Sequence, residues 1–150
     1  MSIVTEPADL AVGQALPAFE RTPTTTQLVR YAGAEDDYMP VHFDHHYAVA
    51  AGQRGVINHG WLTFAIALQS VTSWLPPEIA RVVRSRSRYL RPTYPGLPLV
   101  CRGTVTALRK DRGARLVDVS VEVFDGDPID PASTRTATVE ATFALLPEQA

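Results

Sequence analysis

The rhythm of apolar and polar positions changes along this chain, and the changes mark out its elements. From Gly60 to Leu75 the sequence GWLTFAIALQSVTSWL carries no charge. Apolar side chains fall around most of its helical circumference, which predicts a buried helix ended by Pro76-Pro77, with Asn58 placed to cap its start. Beyond it the helical period disappears. Four segments, about 80–91, 97–109, 114–124 and 133–146, instead alternate in places with the two-residue period of strands. In the third, Val117, Val119, Val121 and Val123 oppose Leu116, Asp118, Ser120 and Glu122, so one face is covered and the other meets water. Turn sequences at Tyr94-Pro95-Gly96, Asp111-Arg112-Gly113 and Asp125-Gly126-Asp127-Pro128 predict hairpins, and with them an antiparallel meander of four strands.

Upstream the pattern is weaker. Residues 1–18 are small, apolar and broken by prolines, with a short edge strand expected around Leu16 to Arg21. Thr24-Thr25-Thr26 ahead of Gln27, Leu28, Tyr31 and Ala32 predicts a short capped helix that stops near Gly33. From Ala34 to Asn58 no period holds, apart from a helical turn expected at His45 to Ala51. One fully apolar helix and one antiparallel sheet pack most economically with the sheet curled around the helix. The fold class expected is therefore α+β, a single domain over residues 1–150, since this length leaves no room for a second catalytic domain.

Composition adds a few limits. Hydrophobic residues at 45% and charged residues at 20% are ordinary globular values, far from a disordered composition. No uncharged run is long and apolar enough for a membrane span, and no secretory leader is evident, so a cytoplasmic location is expected. The lone Cys101 cannot form an internal disulfide, and no base is placed to activate it as a nucleophile. A net charge of -2 conceals segregation: residues 81–112 carry eight Arg and one Lys against one acid, while both flanking regions are acidic. Within this basic island Arg84, Arg86 and Arg88 alternate with Ser85, Ser87 and Tyr89, so a strand places the three guanidinium groups on one face. That face is either a solvated sheet surface or a strip that takes phosphates. Arg91 and Tyr94 near its end are weaker candidates for the same task. A nucleic-acid domain would be basic overall, so nucleic acid is not an expected partner.

The irregular stretch holds the candidate chemistry. Asp37 and His42 stand five residues apart around Pro40, which fixes its own φ and biases Met39 toward an extended backbone. A carboxylate and an imidazole brought together in this way can hold and activate a water. The alternative is that Asp37 caps a turn and His42 lies at a loop surface, and spacing alone does not choose between them. Four histidines, His42, His45, His46 and His59, lack a recognisable ligand spacing, so no metal is expected. Trp61, Phe64 and Trp74 read as core or interface residues.

The segments YAGAEDDYMPVHFDHHYA and GVINHGWLT resemble the MaoC-like, (R)-specific enoyl-thioester hydratase family of hot-dog proteins. That family carries Asp-x-Asn-Pro-x-His, followed by His-Gly at the start of a central helix, and Asp37, Pro40, His42, His59 and Gly60 match it. The resemblance extends more weakly from about Leu16 to Leu146. It implies a hot-dog domain and a hydro-lyase that adds water across a trans-2-enoyl thioester, giving an (R)-3-hydroxyacyl thioester, without a cofactor. Asp37 and His42 would hold the water, the Gly60 N–H would polarise the thioester carbonyl, and His59, Asn58 and Pro40 would support the site. Arg84, Arg86 and Arg88 would meet the phosphates of coenzyme A or of an acyl carrier protein. Pairing into a homodimer, or a heterodimer with another hot-dog subunit, is expected. The sequence departs from the family at Met39, where the family has Asn, at Asp36 in place of a glycine, and at Leu68, where some members have serine. Two further readings follow from the resemblance: a non-catalytic thioester-binding subunit of a heteromeric hydratase, favoured by Met39, and a hot-dog thioesterase.

Overall fold

In the computed structural model, residues 4, 10–126 and 134–146 are described. The elements run β1 (Phe19–Arg21), α1 (Thr25–Glu35), a 3-10 turn (Pro40–His42), α2 (His45–Ala50), α3 (Gly60–Thr72), β2 (Ala80–Tyr89), β3 (Leu99–Asp111), β4 (Ala114–Asp125) and β5 (Thr134–Leu145). The strands form one antiparallel sheet in the order β1-β3-β4-β5-β2.

Local chemistry sets most of the boundaries. The Thr24 hydroxyl accepts from the Gln27 N–H and caps α1 as expected. The helix nevertheless runs through Gly33 and ends at Asp36, which takes the left-handed conformation at φ 58°. Gly33 faces the Tyr38 hydroxyl, 3.7 Å from where its Cβ would lie, so it makes room for a neighbour instead of ending the helix. In the β3–β4 hairpin, Arg112 and Gly113 both have positive φ, the geometry that matches the twist of paired strands.

The expected meander is realised only by β3, β4 and β5. Strand β2 pairs with β5 at the far edge, with Ser87 opposite Val139, so residues 90–98 cross over and do not turn back. Tyr94-Pro95-Gly96 belongs to that crossing and is not a hairpin: the Gly96 N–H bonds to the Pro23 carbonyl. Pro92, Pro95 and Pro98 each lack an N–H donor, which makes the segment unfit for a ladder and suits it to a connection. The Asp127-Pro128 half of the next expected turn and the start of the segment expected from 133 lie outside the described residues.

The valine face of β4 is buried as expected, together with Leu99, Cys101 and Val105 of β3 and Val139, Ala141 and Phe143 of β5. Helix α3 lies against these three strands and buries Leu62, Ile66, Ala67 and Val71. The fold is thus the α+β arrangement of a sheet around a central helix. The helix ends at Thr72, short of Leu75, yet Trp74 and Leu75 continue into the core. It is also less enclosed than its sequence predicts, because Trp61 at its first turn is 56% exposed and packs edge-on against Phe64. Cys101 is fully buried, and burial pushes its thiol up to about 12, so it stays protonated. No helix among the described residues is long and apolar enough to cross a membrane.

Candidate functional site

The chain leaves α1 through the left-handed Asp36, which directs the next residues back across the helix end, and the Asp37 N–H returns to the Ala32 carbonyl. Asp37 Oδ1 accepts from the Met39 N–H at 3.1 Å. Met39 is extended, as the residue before a proline should be, and Pro40 opens the 3-10 turn that ends at His42. The result brings the expected pair together: Asp37 Oδ2 lies 3.6 Å from His42 Nε2. Asp37 also caps the turn, its two carboxylate oxygens performing the two tasks separately, whereas His42 does not lie at a loop surface as the alternative reading has it.

His42 is buried, and its Nδ1 lies 2.9 Å from the Ile57 carbonyl. A carbonyl only accepts, so Nδ1 carries the proton, and in the neutral ring Nε2 presents its lone pair beside the carboxylate. His59, almost fully buried, stacks on the His42 ring with centroids 3.8 Å apart and planes 19° apart, and Tyr31 meets its ring at 5.3 Å. The His59 Nε2–H donates to the Asp37 backbone carbonyl at 3.3 Å. His59 therefore holds the loop that carries the carboxylate and the ring of its neighbour. Burial, then the Glu35 carboxylate and Tyr89, raise the Tyr31 phenol above the ordinary tyrosine value.

Asp37, His42 and His59 each place a ligand-capable atom within 4.8 Å of the others. An imidazole lone pair lies in its ring plane, and two rings stacked this nearly parallel do not aim at one nearby point. The set is therefore arranged for hydrogen bonding and stacking, and it fits a metal poorly. His45 and His46 are exposed and stand apart from the group.

Asn58 does not cap α3. The N-cap is His59, which makes no side-chain cap bond, while Asn58 Nδ2 donates to Thr93 Oγ1 at 3.0 Å. Thr93 Oγ1 in turn lies 3.1 Å from Thr63 Oγ1, and the Asn58 N–H donates to the Thr93 carbonyl. These contacts fasten the start of the helix to the crossover segment. Asn58 Oδ1 and His59 Nδ1 are buried without partners among the described residues. The Gly60 N–H has no acceptor among the described residues, the usual state of a first-turn amide. His42, Asn58 and Gly60 line one cleft of about 360 Å³ with Ile57, Tyr89 and Arg91.

The arginine strip lies elsewhere. Arg84, Arg86 and Arg88 pair across from Thr142, Glu140 and Thr138, and Glu140 falls between Val139 and Ala141, which face the core. The three arginines are therefore on the outer sheet face, away from α3, and none lines the His42 cleft. Two of them border a separate outer groove of about 470 Å³ with Arg109 and Asp118. Tyr94 bonds Gln53 and stacks under Arg54, also outside the cleft. Sequence reasoning missed Tyr89, Thr93 and Thr63 as site residues. The inward alternation of Tyr89 along β2 was the one available signal for any of them.

The MaoC like domain model matches residues 9–126. Among solved structures, the chain resembles the (R)-hydratase from A. caviae involved in PHA biosynthesis, with a TM-score of 0.80 and 21% identity over 92% of this chain and 98% of that one. It resembles the R-hydratase PhaJ1 from Pseudomonas aeruginosa, with a TM-score of 0.79 and 24% identity over 94% and 85%. It also resembles the ChsH1-ChsH2 complex from Mycobacterium tuberculosis, with a TM-score of 0.77 and 24% identity over 91% and 98%. No curated protein matches. These likenesses establish the hot-dog fold, and the match to more than half of the sequence shows that the chain belongs to the MaoC-like domain family.

Proposed function

We propose that this protein is a hydro-lyase that interconverts trans-2-enoyl and (R)-3-hydroxyacyl thioesters. The observation that carries the reading is the approach of Asp37 Oδ2 to a His42 Nε2 whose lone pair is freed by the Nδ1–H to Ile57 contact, in a ring that also lines the Gly60 cleft. A water between the two groups would give one proton to Nε2 as its oxygen bonds to C3 of the enoyl group. The ionised carboxylate would stabilise the imidazolium that forms, and that proton would then pass to C2. The water is thereby added in full, and both side chains return to their starting state. While C2 carries negative charge, the thioester oxygen would accept from the Gly60 N–H at the helix start.

A coenzyme A or carrier-protein thioester would supply phosphate. Of the basic residues expected to meet it, the outer strip faces away from the cleft, whereas Arg91 lines it. Arg91 is therefore the better placed contact, and Arg84, Arg86 and Arg88 suit a partner's surface. A homodimer or a heterodimer with another hot-dog subunit, paired along the free edge of β2, completes the proposal.

The test is loss of the conjugated enoyl absorbance when but-2-enoyl-CoA is added. Asp37→Asn and His42→Ala should each lower kcat by about 10²- to 10⁴-fold while leaving a folded protein. Equal rates in wild type and both variants would reject the assignment. Met39 favours the second reading, a non-catalytic subunit: it stands where the family has Asn, and its side chain offers no hydrogen bond to orient a water or carbonyl. Hydration that appears only after a second subunit is added would select that reading, and release of free thiol would select thioesterase chemistry.

A further inference from the structure

Tyr89 packs over Gly60 within the cleft that both residues line. A Cβ built on Gly60 would lie 3.3 to 3.6 Å from the hydroxyl-bearing end of the Tyr89 ring, so the phenol covers the space that glycine leaves free. Tyr89 is the last residue of β2, an edge strand, and it remains 46% exposed. Its cross-strand neighbour is Ala137, whose methyl group offers little support behind the ring. Its hydroxyl makes no hydrogen bond among the described residues. The ring is therefore held against Gly60 by packing alone, with solvent and the free strand edge on its other side.

We propose that residue 89 selects the thioester: the Tyr89 ring covers the approach to Gly60, swings toward the strand edge when a ligand enters, and restricts the cleft to short, unbranched acyl groups. This rests on the reading of the cleft as the thioester site. Another crowded glycine, Gly103, meets Leu16 in a packed position and not in the cleft. The Gly60 and Tyr89 contact is thus the one that a ligand directed at the helix start must displace.

The test compares wild type, Tyr89→Phe and Tyr89→Val, the latter keeping a residue that favours strands. Rates are measured with but-2-enoyl-CoA and 4-methylpent-2-enoyl-CoA, and dissociation constants with the corresponding saturated thioesters. Tyr89→Val should shift the branched-to-linear kcat/KM ratio toward the branched substrate by roughly tenfold, and the Kd ratio in the same direction, because a hydrophobic wall discriminates on this scale. Tyr89→Phe should keep the wild-type preference. Unchanged ratios in a folded Tyr89→Val protein, or an equal shift in Tyr89→Phe, would overturn the proposal. If wild type binds the saturated thioesters without turning over the unsaturated ones, the Kd ratio still decides the role of residue 89 while the hydratase reading fails. If it neither binds nor turns over any of them, both fail.

Discussion

At the residue scale, the candidate site depends on groups that hold the reacting side chains as much as on those side chains themselves. Thr93 is the clearest case, because its hydroxyl joins Asn58 Nδ2 to Thr63 Oγ1 beneath the start of α3, and all three residues are buried. Thr93→Val keeps the shape and removes both contacts. It leaves Asn58, already without a partner at Oδ1, with no side-chain hydrogen bond at all. The expected cost is about 1–3 kcal/mol in urea denaturation, the penalty of a stranded buried polar group, and an unchanged midpoint would show that the network carries no stability. None of this could be read from the sequence, whereas Asp37, His42, His59 and Gly60 stood out as candidates through the family resemblance, spacing alone having left the first pair undecided. The first two are joined by a short stiff segment and the last two begin one helix, so their placement is local. Thr93 and Tyr89 reach the site from the far end of an edge strand and from a crossover, positions fixed only by the order of strands in the sheet.

At the scale of elements, the same division holds. The alternation of β4, the capped α1 and the Arg112-Gly113 turn were legible because each depends on neighbours in sequence. The place of β2 beside β5 was not, because alternation gives a strand its two faces and not its partner. Two predictions belong here. Gly103 in β3 faces Leu16, and an added Cβ would lie 2.7 Å from Leu16 Cδ2 and 3.2 Å from Leu16 Cβ. The Leu16 N–H is bonded to the Gly103 carbonyl, so the two backbones cannot separate freely. Gly103→Ala should therefore destabilise by about 1–3 kcal/mol, and Leu16→Ala in the same chain should recover part of that loss. On the outer face, hydrogen bonds from Arg109 hold the Asp118 carboxyl below the usual carboxylate range, and Thr142 adds to this against the opposing effect of burial. A carboxyl depressed by folding stabilises the fold above its unfolded value and loses that contribution as pH falls through its folded value. Wild type should thus be more stable than Asp118→Asn at neutral pH, and the gap should close on acidification. A gap constant with pH would locate the effect in shape and not in charge.

At the scale of the molecule, the surface left open is continuous in chemistry with the proposed site. Strand β2 has one edge unpaired among the described residues, and Val82, Val83, Tyr89 and Leu90 along it are exposed. An edge strand is ordinarily protected by charge or cover; Arg81, Arg84, Arg86 and Arg88 supply charge along β2, and the apolar residues are left at its two ends. Trp61 and Phe64 add an aromatic pair at the start of α3, beside the residue that Tyr89 covers. A second hot-dog subunit continuing the sheet through β2 would pair the free backbone groups and bury these side chains next to the cleft, so assembly and substrate access would be coupled. Light scattering should then give twice the 16.4 kDa chain mass. Trp61→Glu and Val83→Lys should return the protein to a single chain. Leu108→Lys, which changes an exposed apolar residue near the hairpin end of β3, should leave the dimer intact. A wild-type chain that stays single alone but pairs with a second hot-dog subunit would place the same edge in a heterodimer. If all three variants behave alike, the β2 edge is not the joining surface, and the exposed Trp61 must be explained by the ligand and not by a partner.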